Sequence, residues 1–164
     1  MITTFSSQNP PSNELQEAIA DFLFKQLGPY GDPKEHILKA IRYALKADNK
    51  PGGFLITSWD QEAMTGAVVM NKTGMESYIP ENILVYIATH QAYRGKGLGK
   101  QLMQKAIELS EGDIALHVDP DNPARKLYEK LGFVRNGLFK DHLLKENQFR
   151  DLYYYELMLS EVNL

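Results

Sequence analysis

The chain has 164 residues, of which 43% are hydrophobic and 24% charged, with a net charge of −3 and no cysteine. Without cysteine there is no disulfide framework, Cys nucleophile or Cys metal ligand, and the acidic balance argues against the basic face that non-specific nucleic-acid binding needs. No run approaches the roughly 18 apolar residues of a membrane span, and no basic-then-apolar leader opens the chain, so the expectation is one cytoplasmic domain with no membrane and no nucleic-acid partner.

Ile2 to Phe5 reads as a first strand. Leu15, Ile19, Phe22, Leu23 and Leu27 recur at helical spacing, with Ser12 or Asn13 as the N-cap. Gly28 to Pro33 is a loop, Lys34 to Ala47 a second helix, and Pro51-Gly52-Gly53 ends it. Phe54 to Trp59 and Thr65 to Met70 make a hairpin across Asp60 to Met64, and Asn71 to Pro80 is a loop. Ile83 to Ala88 is an apolar strand, Leu98 to Leu109 a helix, and Asp113 to Val118 a buried strand broken by Asp119-Pro120-Asp121-Asn122-Pro123. A helix from Ala124 stops at Gly132, and Phe133 to Leu144 and Asp151 to Leu159 are antiparallel strands joined around Lys145 to Gln148. Strands alternating with helices in this order make an α/β (α+β) domain with a mixed sheet.

The stretch Arg94-Gly95-Lys96-Gly97-Leu98-Gly99-Lys100 joins a strand to a helix. The first turn of a helix has N–H groups without partners inside it, and the macrodipole adds positive charge at the same end. Glycines at alternate positions let a bulky anion reach the backbone, and Arg94, Lys96 and Lys100 add cation around it. This favours a phosphate-bearing ligand over the plainer reading, a glycine turn with solvated lysines. A Walker A loop is excluded because Gln101 follows Gly99-Lys100 where Ser or Thr is required, and G-x-G-x-G is not the dinucleotide fingerprint G-x-G-x-x-G.

What remains is R-x-x-G-x-G, formed by Arg94, Gly97 and Gly99. It resembles the pyrophosphate-binding motif of the GNAT superfamily of N-acetyltransferases, whose acyl donor is acetyl-coenzyme A. The segment Asn122-Pro123-Ala124-Arg125-Lys126-Leu127-Tyr128-Glu129-Lys130-Leu131-Gly132-Phe133 resembles that family's second signature, N…A-x-x-L-Y-x-x-x-G-F. The resemblance covers roughly residues 52 to 159 and implies the GNAT acyltransferase fold, a central mixed, mostly antiparallel sheet flanked by helices and splayed at the cofactor site.

It also implies the chemistry. Acetyl passes to the amine of a small molecule or peptide in a ternary complex, with no metal. Ile87, Ala88 and Thr89 pair with the amide-bearing arm of acetyl-coenzyme A, and Arg94, Gly95, Lys96, Gly97, Leu98, Gly99 and Lys100 hold its pyrophosphate. Asn122 and Lys126 contact the cofactor, although Asn122 stands one residue nearer to Tyr128 than is common in the family. Tyr128 lies beside the sulfur and protonates the departing thiolate; Glu81 resembles in placement the glutamate that deprotonates the amine through water. Tyr86 and His90 compete with Glu81 for that role, and the loops Gly28 to Pro33 and Gly74 to Pro80 are placed for acceptor recognition. Tyr153-Tyr154-Tyr155 reads as sheet packing or a homodimer contact. Another acyl-coenzyme A donor, a coenzyme A-binding module without turnover, and an interaction domain with a fortuitous glycine turn remain alternatives.

Overall fold

In a computed structural model, residues 1–46, 52–74, 80–143 and 148–157 are described, the side chains of 136–154 excepted. In chain order the elements are β1 Ile2–Phe5, α1 Asn13–Leu27, α2 Lys34–Ala44, β2 Gly53–Asp60, β3 Ala63–Lys72, β4 Asn82–Thr89, α3 Leu98–Leu109, β5 Ile114–Val118, α4 Arg125–Lys130, β6 Val134–Leu143 and β7 Gln148–Leu157. Among the described residues they form a seven-stranded sheet in the order β1-β2-β3-β4-β5-β7-β6. Every pairing is antiparallel except β4 with β5.

Alternating residues of β2 and β3 face opposite cores, which is why both strands read as unbroken apolar runs. Leu55, Ala67 and Val69 pack under α1 and α2 against Ile19, Leu23, Ile37 and Ile41. Ile56, Val68 and Met70 pack on the other side against Leu102, Met103 and Ala106 of α3 and against Ile114, Leu116 and Tyr155. Ser12 caps α1 by accepting from Leu15 N–H at 3.1 Å, which decides between the two candidate caps. The second helix ends at Ala44 rather than Ala47, and Asn71 and Lys72 extend β3 rather than open a loop. Ala47 to Pro51, most of the loop before Pro80, and the turn at 145–147 lie outside the described residues.

The feature that makes a site is the way β4 parts from β5. Their parallel register pairs Asn82 with Ile114 and Ile83 with Ala115, and runs no further. This end is bolted: Asn82 Nδ2 donates to Glu111 O at 2.7 Å and Asp113 O at 3.2 Å, and Asn82 N–H to Asp113 O at 3.0 Å. Beyond Ile83 the strands separate, so the β5-facing edge of β4 loses its ladder partner. A bulge adds to the divergence, because Met70 pairs with Leu84 and Val69 with Tyr86, leaving Val85 over. Its effect shows in the packing: Leu84 and Ile87 face the α3 core, whereas Val85, Tyr86 and Ala88 face α1 and α2.

Candidate active site

A cavity of about 890 Å³ fills the gap between the separating strands. Its walls are β4 from Ile83 to Thr89, the α1–α2 loop from Gly28 to Asp32, and the end of β5 with the turn into α4. Ile87, Ala88 and Thr89 line it, with Arg94, Gly95, Asn122 and Tyr128. Sequence reasoning thus brought together residues far apart in the chain.

Gly95 and Gly97 hold φ values of +79° and +81°, conformations that a side chain rarely adopts. A Cβ placed on either would meet no atom within 4 Å, so the space over this turn is open. Gly97 caps α3, whose first intrahelical bond runs from Gln101 N–H to Gly97 O at 3.0 Å. The N–H groups of Leu98, Gly99 and Lys100 therefore have no partner within the helix and face the N-terminal end. Gly99 differs: a Cβ there would stand at an ordinary 3.4 Å from Leu127 of α4.

The cations of the turn divide in role. Arg94 Nε donates to Thr89 O at 3.2 Å and its Nη2 to Gln26 O at 3.0 Å, so the guanidinium clamps the turn to the end of α1. Lys96 stands 5.6 Å from the centroid of the Tyr93 ring, and Tyr93 donates to Asp60 at 2.7 Å, a bond that raises the phenol pKa. Lys100 is exposed on α3. Lys126 is exposed on α4 and does not line the cavity.

Asn122 accepts from Ala124 N–H at 2.9 Å through Oδ1, shaping the start of α4 while it lines the cavity. Tyr128 is only 6% exposed, packs its ring 5.9 Å from that of Phe133, and still lines the cavity. Burial pushes its phenol pKa well above the ordinary value, so it stays protonated at physiological pH. Its hydroxyl makes no hydrogen bond to another described residue.

Glu81 does not belong to this group. Its Oε2 accepts from Asp113 N–H at 2.6 Å beside Gly112, and it is absent from the cavity wall. It sits at the bolted end of β4, with the whole strand between it and the glycine turn, and with Asn82 it fastens the loop before β5. Its carboxylate ties the start of β4 to the loop before β5. His90 is likewise occupied, its Nδ1 accepting from Ala92 N–H at 3.0 Å to cap the turn at 91–93.

Three wall residues had no assigned role in the sequence reading: Tyr30, Asp32 and His117. His117 is the exposed side chain of the otherwise buried β5 run, and a lone polar residue inside an apolar strand is the signal that could have found it. Tyr30 and Asp32 belong to the Gly28 to Pro33 loop, expected to face the acceptor but without a motif to name the residues.

A family model described as the acetyltransferase (GNAT) family matches residues 13–133. The chain is 28% identical over 142 residues to the uncharacterized N-acetyltransferase YnaD of Bacillus subtilis, covering 82% of this chain and 80% of that one. It is 34% identical over 104 residues to N-alpha-acetyltransferase 30 of Xenopus laevis, covering 55% of this chain but only 38% of that protein. In fold it is similar to Arabidopsis thaliana Naa50 bound to a bisubstrate analogue, with a TM-score of 0.68, 17% identity, and 95% and 97% of the two chains covered. The matched segment holds the glycine turn, the parted strands and Tyr128 together, and the chain belongs to the GNAT family of acetyltransferases.

Proposed function

We propose that the protein transfers an acetyl group from acetyl-coenzyme A to the primary amine of a small molecule or peptide, by direct attack in a ternary complex. The observation that carries this reading is the unpaired edge of β4 running from its bulge to an open glycine turn, with Tyr128 across the gap. The residues present fit the donor. The N–H groups of Leu98, Gly99 and Lys100 suit a pyrophosphate, the empty space over Gly95 and Gly97 admits it, and the free edge of β4 suits an amide-bearing arm that adds like a strand. Acetyl-coenzyme A, when bound, supplies the activated acyl group.

The chain's residues then divide the work. Backbone N–H at the β4 bulge stabilises the oxyanion that develops on the thioester carbonyl. As the amine nitrogen bonds to the carbonyl carbon and the carbon–sulfur bond breaks, Tyr128 gives its proton to the departing thiolate. His117 takes the proton that the amine must lose. His117 lines the cavity, whereas Glu81 does not.

The test is release of free thiol from acetyl-coenzyme A across a panel of amines, with propionyl-coenzyme A in parallel. Release that depends on both partners, and a kcat that falls in His117→Ala while coenzyme affinity is kept, support the reading. Saturable coenzyme binding with no release on any amine would make the protein a binding module instead.

A further inference from the structure

Tyr128 reaches the cavity from α4, a helix of six residues, and a helix that short has little stability of its own. Its place is set by what neighbouring elements hold. One of those holds is polar and buried. Tyr155 of β7 is 0% exposed, and its hydroxyl meets two α4 side chains that stand four residues apart on one face. It accepts from Arg125 Nε at 3.0 Å and donates to Glu129 Oε2 at 3.1 Å. The Arg125 fork reaches further back, its Nη1 donating to Pro120 O at 2.7 Å, so one guanidinium fastens both α4 and the turn before it. On the sheet, Tyr155 lies opposite Leu116, the residue before His117 in β5.

Resting on the proposed reaction, we propose that Tyr155 is a positioning residue: its hydroxyl, together with Arg125, fixes α4 on the sheet so that the Tyr128 phenol meets the departing sulfur. The hydroxyl of Tyr128 makes no hydrogen bond to another described residue, so its aim comes from the helix that carries it. The apolar contacts of α4 do not supply that aim. Leu127 and Leu131 pack on the α3-side core, and Phe133 stands 5.9 Å from the Tyr128 ring, but such contacts are non-directional and leave the helix free to slide and tilt. Hydrogen bonds prescribe distance and angle, and the pair made by Tyr155 restrains both ends of the helix at once. The choice of tyrosine points the same way. Phenylalanine would fill nearly the same space among Leu116, Val118 and Leu157, and a buried hydroxyl costs free energy unless it is bonded. What the hydroxyl adds to burial is therefore geometry. Displacing a reacting group by about 1 Å is enough to cost about a hundredfold in rate.

The experiment compares Tyr155→Phe, Arg125→Lys, Tyr128→Phe and the double variant Tyr155→Phe with Tyr128→Phe, all in the full chain. Thiol release from acetyl-coenzyme A is followed with benzylamine and a peptide α-amine as acceptors. Tyr155→Phe should lower kcat about 10–100-fold, with the KM for acetyl-coenzyme A and the coenzyme-induced melting shift kept. Arg125→Lys keeps the charge but loses the fork, and should fall in the same direction. In the Tyr128→Phe background, Tyr155→Phe should change the residual rate by less than about twofold, because it acts through a phenol already removed. Hydrogen exchange reads the tie without any acceptor: Tyr128 and Leu131 N–H should exchange about tenfold faster in Tyr155→Phe, with α3 unchanged. If Tyr155→Phe does not fold, Arg125→Lys carries both measurements. Wild-type kcat in a folded Tyr155→Phe protein overturns the proposal. So does a full second loss in the Tyr128→Phe background, unchanged exchange in α4, or a loss of protection in α3 as large as in α4. Wild-type turnover in Tyr128→Phe would instead remove the acid role on which the proposal rests.

Discussion

Replacing Gly97 by alanine separates a phosphate cradle from an ordinary turn. A Cβ at Gly97 meets nothing within 4 Å, so packing does not oppose it; only φ of +81° does. A left-handed conformation costs a non-glycine residue about 1–2 kcal/mol. At about 2–4 °C per kcal/mol for a domain of this size, Gly97→Ala should melt roughly 2–8 °C lower. Coenzyme binding should suffer far more, because the methyl group enters the space a phosphate would occupy. At a concentration about 100 times Kd, acetyl-coenzyme A stabilises the native protein by about 2.7 kcal/mol; a hundredfold weaker complex leaves about 0.4 kcal/mol. The ligand-induced shift should therefore fall from about 5–11 °C to about 1–2 °C. Gly99→Ala is the control, since its Cβ stands at an ordinary 3.4 Å from Leu127 in a helical position, where alanine is favoured by roughly 1 kcal/mol. Thermal melting of the three proteins with and without acetyl-coenzyme A decides the matter. A folded Gly97→Ala protein that keeps the full shift would refute the cradle.

Tyr128→Phe should lower kcat and kcat/KM together by about 10²–10⁴-fold with coenzyme affinity retained, and wild-type turnover in a chemistry-limited assay would remove the acid role. The same phenol links stability to pH: its folded pKa is raised by burial above the unfolded value near ~10. Its contribution is complete below pH ~10 and is lost as pH rises from there toward the folded pKa, at about 1.4 kcal/mol per pH unit. Alkaline melting curves of Tyr128→Phe should lack that part of the decline. Glu81→Gln should cost about 1–2 kcal/mol of stability, because a charge-assisted bond to Asp113 N–H becomes a neutral one, while kcat changes little; a collapse of kcat at full stability would restore Glu81 as a base. Arg94→Ala should weaken coenzyme binding by loosening the turn from Thr89 O and Gln26 O, with a larger effect at low salt than at high salt, as read by coenzyme titration at two ionic strengths.

What was legible in the sequence was whatever local periodicity or a short contiguous motif encodes. Leu98–Leu109 and Ile2–Phe5 are helix and strand as their patterns require, and the glycine turn falls between strand and helix where its spacing puts it. Linear distance says little of where Glu81 stands. Glu81 stands close to the central strand in sequence, but a strand is long, and its two ends serve different purposes. The end with Glu81 and Asn82 is fastened to the loop before β5; the end with Thr89 opens on the cradle. Nothing in the order of residues says which end of a strand faces the chemistry. Asp32 and His117 were not singled out for a related reason: each lines the cavity only because the fold brings another element against it.

The bolted end and the open end of β4 are parts of one device. Parallel neighbours in a sheet ordinarily stay paired along their length, because an unpaired backbone edge facing an enclosed space leaves donors and acceptors unsatisfied. Here the pairing stops after Ile83 and Ala115, and the bulge at Val85 shifts the alternation so that Tyr86 and Ala88 face the other core while Ile87 keeps to the α3 side. Tyr86 and Ala88 are then held by α1 and α2, while Leu116 and Val118 of β5 are held by the α3 side. Opposite cores pull the two strands apart, and Asn82 with Glu81 keeps them from separating altogether. An open edge of backbone is costly unless something pairs with it, so an edge beside a glycine turn suits the proposed donor, which carries amides and phosphates together. The same parting brings Asp32, on the α1–α2 side, into one cavity with Tyr128, on the α3 side.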